Sequence, residues 1–234
     1  PPLQPGRGRI YSMRFCPWAE RALLCAAAKG IDVEVVNINL HDKPEWYVTK
    51  HPAGKVPAFE KDGKVVIESG IIPEYLDGVY PSTPSILPQD PYLRARQRII
   101  LDQLGGLAMA IYGVINVVKA KSEGEAKEAK IAAFEGAMDG AEKMLGEGRF
   151  YGGSAPSFAD WLIFPFVERV PLLDPFIALP HPFPSEQRWP RLTSWYNGIL
   201  QHPAASQAVQ PRPVHLKFFE GYLVGESDYD VACD

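Results

Sequence analysis

Arg9-Ile-Tyr-Ser-Met-Arg-Phe-Cys16-Pro-Trp-Ala-Glu-Arg21 is the stretch on which the reading of the fold turns. Its first seven residues alternate apolar and polar side chains, as a half-buried strand does. Pro17 suits the first position of a helix, where its missing N–H is not needed. Ala19, Ala22, Leu23 and Ala26 then recur at i, i+3, i+4 and i+7, and Gly30 supplies a stop. A strand therefore runs straight into a helix, with Cys16 at the junction.

Outward from that junction the pattern continues. Asp32 to Ile38 is Val-rich and reads as a second strand. Val56–Glu60 and Lys64–Ile67 flank Asp62-Gly63, a pair suited to the positive φ angles of a two-residue hairpin. A helix is expected over Ser69–Val79, with Ile71, Ile72, Tyr75, Leu76 and Val79 on one side. The order βαβ, an irregular middle, then ββα describes a compact α/β unit of about 80 residues with a mixed sheet. Pro81-Ser-Thr-Pro-Ser-Ile-Leu-Pro-Gln-Asp-Pro91 continues neither helix nor central strand and reads as a linker. Beyond it helical periods dominate: 92–118, 121–145, 161–169, 192–202 and 216–223. The expected fold class is α/β plus all-α, divided into 1–87 and 88–234.

Composition narrows the function. With 234 residues, 46% hydrophobic, and a net charge of −4, the chain is globular and lacks the basic excess of a nucleic-acid binder. The longest uncharged run, Gln103 to Val118, is short and polar for a transmembrane helix, so no stable membrane insertion is expected. No basic-then-apolar leader opens the sequence, and a cytoplasmic location is expected. Three cysteines are too few and too odd in number for a disulfide framework, and the five histidines show no metal-ligand spacing. A reducing compartment, free thiols and no metal follow.

Cys16 is the sharpest chemical feature. A thiol at a helix start meets unpaired backbone N–H groups and the positive end of the helix dipole, which favour thiolate. Cys25, inside an Ala-rich helix, reads as inert, and Cys233 as part of a frayed tail. Ala19 stands where a second cysteine would close an internal disulfide, so oxidised Cys16 needs an external thiol. Glutathione is the abundant cytosolic candidate. Ser157-Phe-Ala-Asp160 offers a Ser–Asp pair, but its spacing before an apolar run is that of a capping box.

The run around Cys16 resembles the start of an omega-class glutathione transferase. So do Asn37-Ile-Asn-Leu-His-Asp-Lys43-Pro-Glu-Trp46, Val56-Pro57, Glu68-Ser69, Glu74-Tyr-Leu-Asp77 and Phe166-Val-Glu-Arg169, in the same order over most of the chain. The resemblance implies a thioredoxin-like N-terminal domain that binds glutathione and a helical domain that forms the second substrate's pocket. It also implies a homodimer. Cys16 would be the catalytic thiol. Trp18, Lys43, Lys55, Val56, Pro57, Glu68 and Ser69 would line the glutathione site, Val56 through its backbone beside a cis-proline. Glu68 and Ser69 would hold the γ-glutamyl end, and Lys43 the glycyl carboxylate. Read without the family, Glu68 and Ser69 are equally a strand end and a helix cap, and Lys43 a solvated loop lysine. Arg169, His215 and Tyr222 match positions of the second-substrate pocket, though ordinary core and surface roles fit them as well.

The implied activity is glutathione-dependent thiol transfer and dehydroascorbate reduction. Cys16 would form a mixed disulfide with glutathione that a second glutathione resolves; glutathione is a cosubstrate and no other cofactor is implied. The partners expected are glutathione and small electrophilic or disulfide substrates. Trp18 departs from the usual omega Phe and makes Cys-Pro-Trp similar to the glutathionyl-hydroquinone reductases. Lys55 would make the pocket edge more basic. Chloride-intracellular-channel-like proteins and non-catalytic ligand-binding proteins on the same fold are the remaining alternatives.

Overall fold

A computed structural model of the chain describes residues 3–231, so Cys233 lies outside the described residues. Strand β1 (Gly8–Ser12) leads into helix α1 (Pro17–Ala28), and β2 (Val33–Asn37) returns parallel to β1. A short 3-10 turn at Glu45–Thr49 precedes β3 (Ala58–Lys61) and β4 (Lys64–Ile67). The sheet order is β2-β1-β3-β4, with β3 antiparallel to both neighbours, which is the expected mixed sheet. Asp62 and Gly63 take φ of 49° and 73°, the two positive angles that the hairpin turn requires. Helix α2 (Ile72–Val79) starts three residues later than the sequence pattern suggests, with Ile71 as its cap. Ser69 therefore lies before the helix and does not cap it.

The rest is helical: α3 (Pro91–Lys119), α4 (Gly124–Leu145), α5 (Phe158–Val167), α6 (Pro190–Leu200), α7 (Pro203–Ala208) and α8 (Arg212–Val224). The short α7 was not foreseen; its Ala-rich six residues carry little periodic signal. Asp90 caps α3 by accepting the Leu93 N–H at 2.8 Å, with Pro91 at the first helical position. Ser157 and Asp160 form the expected capping box at α5, and Asp160 also accepts N–H groups from Tyr151, Gly152 and Trp195. All ten residues of α5 are buried, so this helix is the core of the helical half.

Helix α1 joins the two halves. Ala22 and Ala26 pack on the sheet with Ile10 and Phe59, whereas Leu24 and Cys25 join the core around α5. The proline-rich connection is pinned by Asp77, whose carboxylate accepts from Lys29 Nζ (2.6 Å), Ser85 Oγ, and the N–H groups of Ile86 and Leu87. Helix α3 is long and apolar enough to cross a membrane by length and composition alone, which corrects the reading of its length from the shorter uncharged run; the core helix of a globular protein passes the same test. Leu104, Leu107, Ile111, Val114 and Ile115 on it are buried in the protein core.

Candidate active site

Two cavities flank the first turn of α1, one lined by Cys16 and Pro17 and the other by Trp18. The second of these, about 380 Å³, is polar and is lined by Trp18, His51, Lys55, Val56, Pro57, Glu68 and Ser69. Six of the seven residues expected at the glutathione site are thus brought together. Lys43 stands at the edge: its side chain lies across Gly54, where an added Cβ would sit 3.4 Å from Nζ. Two backbone features and one side-chain contact shape this cavity. The Val56–Pro57 bond is cis. Glu68 takes φ of 77°, uncommon for a residue with a Cβ, and its carbonyl accepts the N–H groups of Ile71 and Ile72 ahead of α2. Ser69 is buried and its Oγ accepts from Arg21 Nη1 at 3.1 Å.

Arg21 ties that cavity to the helical half. Its Nε donates to the Leu162 carbonyl at 2.7 Å, and its guanidinium lies over the rings of Trp18 and Phe166. Burial lowers Arg21 to about 10, still cationic at neutral pH. His51 was not foreseen at all. It is buried, its Nδ1 lacks a hydrogen-bond partner, and nothing in the run His51-Pro-Ala-Gly-Lys55 marks it as a lining residue.

The other cavity, about 140 Å³, is mostly apolar and contains Cys16, Arg169, His215 and Tyr222 among its lining residues. Met13, Phe15, Leu40, Tyr112 and Phe218 complete much of its wall. Phe218 stacks on Phe15 at 4.1 Å, so α8 closes over the Cys16 loop. Tyr222 is half-buried, with Lys119 Nζ 4.2 Å from its ring centre. The three sequence matches, Arg169 just after α5 and His215 and Tyr222 on α8, therefore line the same cavity as the thiol.

Cys16 occupies the N-cap position of α1, with φ −84° and ψ 116°. Burial pushes its thiol up from the ordinary value. The Ala19 N–H, the Arg169 guanidinium and the Trp18 N–H pull the other way but do not overcome it. The depressed value expected from the helix start is corrected accordingly: the helix end is present, and desolvation outweighs it. Cys25, fully buried in the core, is pushed up much further, again by burial.

Beneath Cys16 lies a buried charge cluster. Arg169 Nη1 donates to Glu20 Oε2 (2.9 Å), to Glu168 Oε2 (2.8 Å) and to the Pro165 carbonyl. Its Nη2 donates to the Phe15 carbonyl at 3.0 Å, just before the thiol. Although Arg169 lines the cavity, its guanidinium is thus already committed within the protein. Burial, then the charge of Glu168, raises the pKa of Glu20, and burial raises that of Glu168. His215 sits with Nδ1 3.3 Å from Glu168 Oε1, and burial followed by Arg169 lowers it to about 3. Glu20 and Glu168 were missed as members of the site. A signal existed: Glu168-Arg169 follows the ten-residue run Phe158–Val167, whose one charge is Asp160, where solvated charges are out of place.

Matches to known proteins agree with this geometry. Residues 6–78 match the glutathione S-transferase N-terminal domain, and residues 124–198 the glutathione S-transferase C-terminal domain. Glutathione transferase omega-1 of Caenorhabditis elegans is 44% identical over 99% of this chain and 92% of its own length. Glutathione S-transferase omega-1 of Mus musculus is 35% identical over 100% and 92%. Glutathione transferase Omega 3C from Trametes versicolor superposes with a TM-score of 0.78 at 22% identity, covering 95% of this chain and 93% of that one. Rice GST1 in complex with glutathione gives 0.82 at 20% identity, covering 97% and 100%, and these two likenesses speak to the fold. The chain belongs to the omega class of the glutathione transferase family.

Proposed function

We propose that this protein is a glutathione-dependent thioltransferase and dehydroascorbate reductase. The observation that carries the reading is a half-buried cysteine at a helix start that lines an apolar cavity, two residues before Trp18 in the wall of a polar one. Glutathione would occupy the polar cavity, its α-carboxylate and ammonium at Ser69 and Glu68, its cysteinyl backbone at Val56, and its glycyl end toward Lys43. The acceptor would occupy the apolar cavity. Cys16 thiolate attacks the glutathionyl sulfur of a mixed disulfide, and a second glutathione then releases Cys16. Burial works against the thiolate, and the Ala19 and Trp18 N–H groups with the Arg169 guanidinium are the groups that favour it for this attack. Among the described residues no second cysteine competes: Cys25 is buried in the core.

The domain division at residue 87 follows the same reading, as does a cytoplasmic home for a reduced thiol. A homodimer is supported by exposed apolar side chains on β4, before α2 and along one side of α3, namely Val65, Ile71, Tyr92 and Ile99; sedimentation tests it directly. The test of function is glutathione-dependent reduction of a small mixed disulfide and of dehydroascorbate, wild type against Cys16→Ser. The expected result is turnover lost in the variant while glutathione still binds. Wild type that binds glutathione without turnover would favour the ligand-binding or channel-like reading.

A further inference from the structure

The charge cluster under Cys16 holds more groups than folding alone requires. Two carboxylates, Glu20 and Glu168, share one guanidinium, and all three are buried. Glu20 Oε1 has no hydrogen-bond partner, and neither has His215 Nδ1. Desolvation and mutual repulsion keep a proton on the carboxyl pair, since one Arg169 neutralises only one of them. His215 links this pair to the chemistry: its Nδ1 edge is 3.3 Å from Glu168 Oε1, and its ring lines the cavity that contains Cys16. The other ring nitrogen, Nε2, is left for whatever fills that cavity. Around His215 stand Glu20 and Cys16 from α1, Glu168 and Arg169 after α5, Tyr112 from α3, Tyr222 from α8, and Tyr229. Burial and Arg169 hold the imidazole neutral, with one N–H to give.

We propose that His215, set by Glu168, donates the proton that the departing thiolate of the second substrate takes up when Cys16 attacks a glutathione mixed disulfide. The inference rests on the thioltransferase reading above. The Cys16 thiolate forms a bond to the glutathionyl sulfur, the substrate S–S bond breaks, and its electron pair leaves on the acceptor thiolate. That thiolate takes the proton on His215 Nε2, and His215 Nδ1 takes the proton of the carboxyl pair. A second glutathione thiol then attacks the Cys16 mixed disulfide, releases glutathione disulfide and the Cys16 thiolate, and returns its proton through His215 to the pair. The contact to Glu168 is long and unaligned here; such contacts tighten in the reacting complex.

His215 is the proton donor and Glu168 a positioning residue, and the leaving group separates these roles from a structural one. Two substrates are compared: the mixed disulfide of glutathione with 2-mercaptoethanol, whose thiolate needs a proton, and that with 5-thio-2-nitrobenzoate, whose thiolate does not. In His215→Gln and in Glu168→Gln, the alkyl rate is expected to fall relative to the aryl rate by about 100-fold, the lower end of general-acid contributions. Because the ratio is taken within one protein, the folded fraction cancels. An unchanged ratio in His215→Gln overturns the proposal, and a changed ratio there but not in Glu168→Gln overturns the part given to Glu168. Wild type inactive on both substrates overturns the thioltransferase reading, and the proposal with it.

Discussion

The two cavities at the start of α1 are built in opposite ways. The polar one is made within the first 69 residues, from loop ends and a cis peptide on one sheet, and its groups face open space. The apolar one is assembled from the loop between β1 and α1, α3, the turn after α5, α8 and the segment after it, and its polar groups point inward to one another. The first is arranged to hold a fixed ligand through backbone and charge. The second is a wall of aromatic rings over a buried reservoir of charge, adaptable in what it admits. The difference teaches that the thiol's two substrates are recognised by different physics, and substitutions should divide along that line.

The largest effect is expected at Arg169. Arg169→Leu leaves Glu20 and Glu168 buried without a counter-charge, and should destabilise the protein by about 4 kcal/mol at pH 7, read from urea unfolding. The sign with pH follows from the carboxyls: their folded values lie above the ordinary 4.5, and losing Arg169 raises them further. Stability linked to them is fully present below that ordinary value and is lost as pH rises through the folded values. The loss in the variant should therefore shrink as pH falls toward 4.5. A pH-independent loss would mean that packing, not charge, makes the second cavity.

A smaller effect belongs to the first cavity. Glu68→Gln removes one charged contact to the glutathione ammonium, about 2 kcal/mol or roughly 30-fold in KM for glutathione, with KM for the acceptor unchanged. Lys43→Ala, an exposed charge at the cavity edge, should lose no more than about 1 kcal/mol, and less in high salt. Steady-state kinetics varying each substrate in turn checks both. If Glu68→Gln moved both KM values equally, the two cavities would not be independent.

The same division explains what the sequence made legible. The strand–Cys16–helix junction, the Asp62-Gly63 hairpin and the Ser157–Asp160 capping box are local, and their residue types state their geometry within a few positions. The polar cavity was readable because its residues sit in short contiguous motifs. The charge cluster under the apolar cavity was not, because Glu20 and Arg169 meet across 149 positions, and in the polar cavity His51 turns inward with no distinctive neighbour. The direction of the Cys16 shift was likewise hidden. A helix start is visible in sequence, but how deeply Phe218 and Tyr222 bury it depends on where α8 lands.

The central claim is that Cys16 exchanges with glutathione and Cys25 does not. The direct measurement is intact-protein mass spectrometry after incubation with glutathione disulfide, followed by reduced glutathione. The account predicts one glutathionyl adduct mapped to Cys16, removed by reduced glutathione, and none on Cys25. An adduct that persists in Cys16→Ser, or a wild type that takes up none, would contradict it.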